Sequence, residues 1–349
     1  MNCAIVTAME KRSPYSPYYI DWAITSSCNL RCAHCRGMPV DQLPTPRILS
    51  LLDEIRTLNP GWILIEGGEP LLREDLLPIM EHARELDQRV FLITNGMLVT
   101  KDVVRQFSRL RIDTMISIDS PDRRTFETLR GGANFSRVVH AAAQCAENGI
   151  LDAINFTLSR QNLRQIPDLF KLAKTIGATR INILGLKPCE NYSKKLLTPA
   201  EYRLAIELCC RMSLATGLCF FFDEPFFKSA VREWGLEYYT EEKGSSITIG
   251  NEPGCILGKY LFITPDGDVW PCSFSPYVVG NVRGESLIDA WNKMPRIEFI
   301  QNLMNPRSRK EACSRCRYIT ECSGCRARTY NLTGDWFEAD PACPLRSNR

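Results

Sequence analysis

The chain has 349 residues, 44% of them hydrophobic, and its 43 basic and 40 acidic residues leave a formal charge of +3. That size and content allow a buried core in one large or two moderate domains, and charge spread without runs of one sign offers no footprint for nucleic acid. The N-terminal MNCAIVTAMEKRSPYSPYY has no apolar signal core, and no apolar run approaches the ~18 residues of a membrane span, so a cytoplasmic protein without a membrane partner is expected. Residues 1–18 read as a short lead-in. Six β-rich runs follow: YIDWAIT (19–25), WILIE (62–66), VFLIT (90–94), TMISI (114–118), DAINFTL (152–158) and RINIL (180–184). Amphipathic stretches such as LREDLLPIMEHARELD and FSRVVHAAAQCAENG lie between them and have the length a parallel crossover requires, which predicts a curved parallel sheet. A helix from Pro199 to about Thr216 opens with Thr198 as N-cap, Pro199 at the first position and Glu201 closing a capping box. The aromatic FFFDEPFF comes next, readable as core or as the wall of a flat substrate site. EEKGSSITIGNEPG then reads as a linker at about residues 241–254, which divides the chain into 19–240 and 241–349.

A reducing compartment keeps thiols free, so the clustered members among the 16 cysteines read as metal ligands rather than disulfides. Cys28, Cys32 and Cys35 form one cluster; Cys255, Cys272, Cys313, Cys316, Cys322, Cys325 and Cys343 form the other. Cys3, Cys145, Cys189, Cys209, Cys210 and Cys219 are scattered and read as core thiols. The first cluster offers three ligands where structural zinc and most iron-sulfur clusters take four. Four successive strands end in polar or glycine-rich text: SSCNLRCAHC, GGEP, TNG and SIDS. Each alone is compatible with a turn or a cap, but in a βα barrel all four meet at the C-terminal rim, where active sites are built.

CxxxCxxC after the first strand, GGEP after the second and this order of motifs resemble the radical S-adenosylmethionine (SAM) enzymes, and the resemblance covers nearly the whole chain. It implies an α/β fold: a partial (β/α)6 barrel with a small C-terminal iron-sulfur domain. It also implies that Cys28, Cys32 and Cys35 hold three irons of a catalytic 4Fe-4S cluster, the fourth iron being left for the amino and carboxylate groups of SAM. Glu69 would bind the methionyl ammonium, with Gly67 and Gly68 leaving room for its approach, and Asn95, Ser117 and Asp119 suit the ribose hydroxyls and nearby polar groups. Arg130 either binds the SAM carboxylate or finishes a helix and is not assigned.

The C-terminal cysteines resemble the SPASM extension, which carries auxiliary iron-sulfur clusters; zinc is the alternative for CxxC pairs. By that resemblance Cys313, Cys316, Cys322 and Cys343 ligate a distal 4Fe-4S cluster, and Cys255, Cys272 and Cys325 a proximal one. Two departures stand out: Cys322 and Cys325 are spaced CxxC rather than CxxxC, and no cysteine lies between Cys255 and Cys272, so the proximal set has no fourth thiol. His34, in the cluster loop, and His82 and His140, in helices, read as structural.

HCRG after the first cluster and the ending CSGCRARTYNLTGDWFEADPACPL are most similar to SPASM enzymes of siroheme-derived heme and denitrifier heme biosynthesis, which trim carboxylate side chains from tetrapyrroles. Similar endings occur in maturases of tungsten cofactors and in peptide-modifying relatives, although the short lead-in leaves no room for the N-terminal peptide-recognition domain many of the latter carry. The implied chemistry is one-electron reduction of SAM, by way of ferredoxin or flavodoxin, to methionine and a 5'-deoxyadenosyl radical that abstracts hydrogen from the substrate, under anaerobic conditions. On a tetrapyrrole propionate this leads to oxidative decarboxylation and a vinyl group; on a peptide, to a crosslink or an oxidised side chain. An iron-sulfur electron carrier or a zinc-binding module are the readings from other classes.

Overall fold

The computed structural model describes residues 16–38, 40–188, 195–236 and 254–346. Cys3, Cys189, the lead-in before residue 16 and all of the 241–254 linker but its last residue lie outside these. The six expected strands form where the apolar runs place them: β1 (Ile20–Thr25), β2 (Ile63–Gly67), β3 (Val90–Thr94), β4 (Asp113–Ser117), β5 (Leu151–Leu158) and β6 (Arg180–Gly185). They lie side by side in chain order and all parallel. Helices α1 (Thr45–Leu58), α2 (Leu76–Glu85), α3 (Lys101–Leu110), α4 (Arg123–Leu129), α5 (Phe135–Glu147) and α6 (Ile166–Ile176) make the crossovers. The helix α2 begins four residues later than its sequence run, because Pro70–Leu72 closes a 3-10 turn and the buried Arg73 side chain reaches back to the carbonyls of Ile24 and Leu43. The capping box of α7 (Pro199–Thr216) is formed as expected: Glu201 N–H donates to Thr198 Oγ1 (3.3 Å), and Thr198 N–H donates to Glu201 Oε2 (2.7 Å).

Two features extend the sheet beyond six strands. Cys219–Phe222 adds β7 in parallel beside β6, so FFFDEPFF contains a strand. Phe220, Phe222, Phe226 and Phe227 are buried in the main core, which settles that run mostly as packing. On the other edge β8 (Leu261–Ile263) pairs in parallel with β1, followed by antiparallel β9 (Asp268–Trp270) and β10 (Gly280–Asn281). The first strands of the C-terminal segment are therefore part of the barrel sheet, not a separate layer. The edges β7 and β10 do not pair with each other, so the barrel is open.

Period-two alternation sorts the strand residues. Ile20, Trp22 and Ile24 join Leu51, Ile55 and Ile79 of the helices in the main core, and such buried side chains contribute ~1.5–3 kcal/mol each. The opposite face carries Asp21, Ala23, Leu64, Glu66, Ser117, Asn155 and Asn182 into the barrel interior, where Asn182 Nδ2 donates to Asn155 Oδ1 at 2.8 Å. Among the described residues no helix is long and apolar enough to cross a membrane.

Candidate active site

The loop that follows β1 carries Cys28, Cys32 and Cys35, the first and last exposed and the middle one half-buried. Its backbone is pinned from two sides. Arg31 N–H and Ala33 N–H donate to the carbonyls of Gly131 (3.0 Å) and Leu129 (2.9 Å), just after α4. Gly68 N–H and Glu69 N–H donate to the carbonyls of Thr25 and Ser27, both at 2.8 Å. The glycines of GGEP are what permit this second contact. A Cβ on Gly67, whose φ is +138°, would stand 2.3 Å from Thr25 O, and one on Gly68 would stand 2.2 Å from Ser27 O. The close approach of the cysteine loop is thus one reason for glycine at both positions.

Glu69 is fully buried at the rim. Oε1 accepts from Thr94 Oγ1 (2.8 Å) and Leu71 N–H (3.2 Å), and Oε2 accepts from Asn95 N–H (2.8 Å). Burial pushes the carboxyl up while these donors pull it down. A carboxylate has about four acceptor positions, so one remains for a cationic donor. Replacing Glu69 with Ala would orphan all three donors, at ~1–3 kcal/mol for each that stays dry. Glu69→Gln is the cleaner test. We expect it to weaken SAM binding tenfold or more with iron content unchanged, and calorimetry returning wild-type affinity would remove Glu69 from the site.

The other rim residues differ in how committed they are. Asn95 spends its side chain within the rim, donating to Asn29 Oδ1 (2.8 Å) and accepting from Met97 N–H (2.9 Å). Ser117 ends β4 on the inner face. Asp119 is fully buried: Oδ2 accepts from Arg130 Nε (2.6 Å) and lies 3.3 Å from His34 Nε2, and Oδ1 accepts from Thr157 N–H (2.7 Å). Burial alone would raise this carboxyl, but the Arg130 guanidinium, with His34 and the amide, brings it below the usual carboxylate range. Three partners leave about one acceptor position on this carboxylate. Asp119 ties His34 of the cysteine loop to Arg130 after α4, and this gives both of those residues their structural place.

The structure brings the C-terminal cysteines into two groups. Cys313, Cys316, Cys322 and Cys343 line one small cavity. Cys255, Cys272 and Cys325 act on one another electrostatically: burial pushes the Cys272 thiol up to about 12, and Cys255 and Cys325 add to it. Among the described residues no three His, Cys, Asp or Glu side chains stand close enough to hold a single metal ion. Beside the second group lies a buried charge network without a sequence motif. Glu224 Oε1 accepts from Lys187 Nζ (3.1 Å), Tyr202 Oη (2.9 Å) and Arg328 Nη1 (2.8 Å). Arg328 also donates to both oxygens of Asp340, whose Oδ2 accepts from Cys325 N–H at 2.8 Å. Gly185 makes room for the network, since a Cβ there would meet Glu224 Oε1 at 1.8 Å.

Residues 22–173 match the Radical SAM superfamily, and residues 255–317 match the iron-sulfur cluster-binding domain SPASM. An AdoMet-dependent heme synthase of Methanosarcina barkeri is 29% identical, over 96% of this chain and 98% of its own length. The mycofactocin maturase MftC of Mycobacterium ulcerans is 27% identical, over 94% of this chain and 88% of its own. Among solved structures, Streptococcus suis SuiB bound to S-adenosylmethionine has the same fold, with a TM-score of 0.76 and 19% identity over 94% of this chain and 77% of that one. With a rim built around CxxxCxxC and GGEP on a parallel open barrel, the chain is a radical SAM enzyme with a SPASM iron-sulfur domain.

Proposed function

We propose that this enzyme removes carboxylate side chains from a tetrapyrrole by oxidative decarboxylation, in the manner of heme biosynthesis. The observation that carries the reading is the match to a heme synthase along nearly the full length of both chains. In this reading Cys28, Cys32 and Cys35 hold the catalytic cluster, Glu69 takes the SAM ammonium, and Ser117 faces the same space. Cys313, Cys316, Cys322 and Cys343 hold a distal auxiliary cluster and Cys255, Cys272 and Cys325 a proximal one. The four thiols around one cavity fit a cluster in which each iron takes one thiolate better than they fit a single zinc ion. The barrel domain spans 19–240, the linker and SPASM region 241–349, and a ferredoxin or flavodoxin delivers the electron.

When bound, SAM and the reduced catalytic cluster supply a 5'-deoxyadenosyl radical that takes one hydrogen atom from the substrate. The chain's part is to hold the substrate with one C–H toward the Cys28–Cys35 loop and to keep water out of the barrel interior. A propionate that loses one hydrogen atom to the radical and one electron, which an auxiliary cluster held by the C-terminal thiols would accept, leaves a vinyl group and carbon dioxide. The test is anaerobic incubation of the reconstituted enzyme with SAM, a reductant and iron coproporphyrin, followed by mass spectrometry. Conversion of a propionate to a vinyl group supports the reading; 5'-deoxyadenosine with an unchanged porphyrin opposes it. The match to the mycofactocin maturase supports a second reading, modification of a peptide.

A further inference from the structure

The cations that border the barrel interior are nearly all neutralised by neighbours of their own chain. Arg130 is paired with Asp119, Lys187 with Glu224, and Arg328 with Glu224 and Asp340. Arg36 is different. It follows Cys35 directly and is exposed, and among the described residues no carboxylate lies within ion-pair distance of it. Its guanidinium lies over two rings, 4.4 Å from the centroid of Phe274 and 5.6 Å from that of Phe262. Phe274 stands two residues beyond Cys272, and Lys187 Nζ is 6.0 Å from the centroid of the same ring. Phe262 is the β8 partner of Asp21, so it faces the barrel interior.

Arg36 is thus a guanidinium held over two rings, with no hydrogen bond from its donors among the described residues, between the loop of Cys35 and the Phe274 that follows Cys272. A stacked guanidinium keeps its planar fork available for bidentate binding of a carboxylate. Two acids lie farther off on the inner face, Asp21 and Glu66; burial pushes both of them up and Arg36 draws both back, but neither is within ion-pair distance of it. Asp21 Oδ1 is itself buried with no hydrogen-bond partner, as an acceptor left for a group that enters the barrel would be.

We propose that Arg36, carried on Phe274 and Phe262, grips a carboxylate of the tetrapyrrole and so holds one acidic edge of the macrocycle between the cysteine loop and the proximal thiols. The inference rests on the tetrapyrrole reading above. It makes Arg36 a substrate-binding residue that sets which side chain faces the radical.

The probe is coproporphyrin III, a free-base porphyrin with four propionates, and its tetramethyl ester serves as the uncharged control. Binding to the anaerobic, fully reconstituted protein is measured by ultrafiltration and fluorescence of the free porphyrin. Arg36→Met, which keeps an unbranched apolar stem, is expected to bind coproporphyrin III at least tenfold more weakly than wild type while binding the ester equally well. Arg36→Lys should fall between, since it keeps the charge and loses the fork. Arg36→Gln serves in place of Arg36→Met if the latter loses iron. Equal coproporphyrin affinity in wild type and variant overturns the assignment and leaves the tetrapyrrole reading standing. The same loss for acid and ester also overturns it, because the effect is then one of shape and not of charge. Wild-type protein that binds neither porphyrin overturns the tetrapyrrole reading and the inference with it.

Discussion

The triple variant Cys28→Ala, Cys32→Ala, Cys35→Ala is expected to make no 5'-deoxyadenosine above the cluster-free background and still to hold about eight irons per chain, against about twelve in wild type. The first expectation follows from the loop itself, which carries three thiols at the rim and whose backbone accepts hydrogen bonds from the Gly68 and Glu69 amides of GGEP. The second follows from the separation of the remaining seven thiols into a group of four around one cavity and a group of three. The backbone contacts that pin the loop use amides and carbonyls, so the substitutions leave them in place. Mössbauer and EPR spectra of the variant test both. The proximal group has one thiol fewer than the distal group, so its signal should shift on addition of a small ligand and the distal signal should not. Persistent 5'-deoxyadenosine would remove the three cysteines from the catalytic role. About four irons would mean a single auxiliary cluster, and two signals that ignore every ligand would mean that the proximal site is closed by a side chain.

Asp340→Ala should be the most damaging single change outside the rim, lowering stability by about 3–5 kcal/mol. Asp340 is fully buried, accepts from Arg328 through both oxygens, and also accepts from the amides of Cys325 (2.8 Å) and Ala342 (3.1 Å). Its removal leaves the Arg328 guanidinium buried against Glu224 alone and two amides without an acceptor. Burial opposes ionisation of Asp340, but the Arg328 guanidinium wins and brings the carboxyl down to about 2. A carboxyl depressed on folding stabilises above its unfolded pKa of about 3.9 and loses that contribution as pH falls through the folded value. At pH 7 the contribution is complete. Anaerobic denaturant unfolding at that pH should show the loss, and Asp340→Asn, which keeps the volume, should show a smaller one. A cost below about 1 kcal/mol for the Ala variant would mean that water or a neighbour takes over the Arg328 charge. Because Cys325 donates its amide to Asp340, the same variant should also disturb the EPR signal of the proximal cluster.

Short-range pattern was enough for much of this protein. The runs at 19–25, 90–94 and 180–184 are strands because their core-facing apolar residues recur with period two, and that signature is complete within a few residues. Thr198 and Glu201 mark the start of α7 because a capping box closes within one turn. The cysteine sets were legible for a similar reason: chemistry that requires several thiols around one cluster shows as close spacing in the chain. What the sequence left open was decided by contacts between distant segments. Arg328 meets Glu224 across 104 positions, and neither lies in a motif, so the network beside Cys325 has no local signature. The ties of Asp119 to Arg130 and His34, which reach it from the end of α4 and the cysteine loop, have no local signature either. The close approach of Gly67 and Gly68 to the Thr25–Ser27 backbone likewise has no local signature. FFFDEPFF looked like a possible substrate wall; pairing with β6 made it a strand and turned Phe220 and Phe222 into the core. The aromatic surface that Arg36 occupies comes instead from Phe262 and Phe274, more than two hundred residues away, and only the pairing of β8 with β1 brings them to the cysteine loop. Local sequence encodes elements and ligand spacing because those depend on neighbours along the chain. The protonation of a buried acid, the room beside a glycine and the freedom of a guanidinium depend on what packs against them, which the fold alone determines.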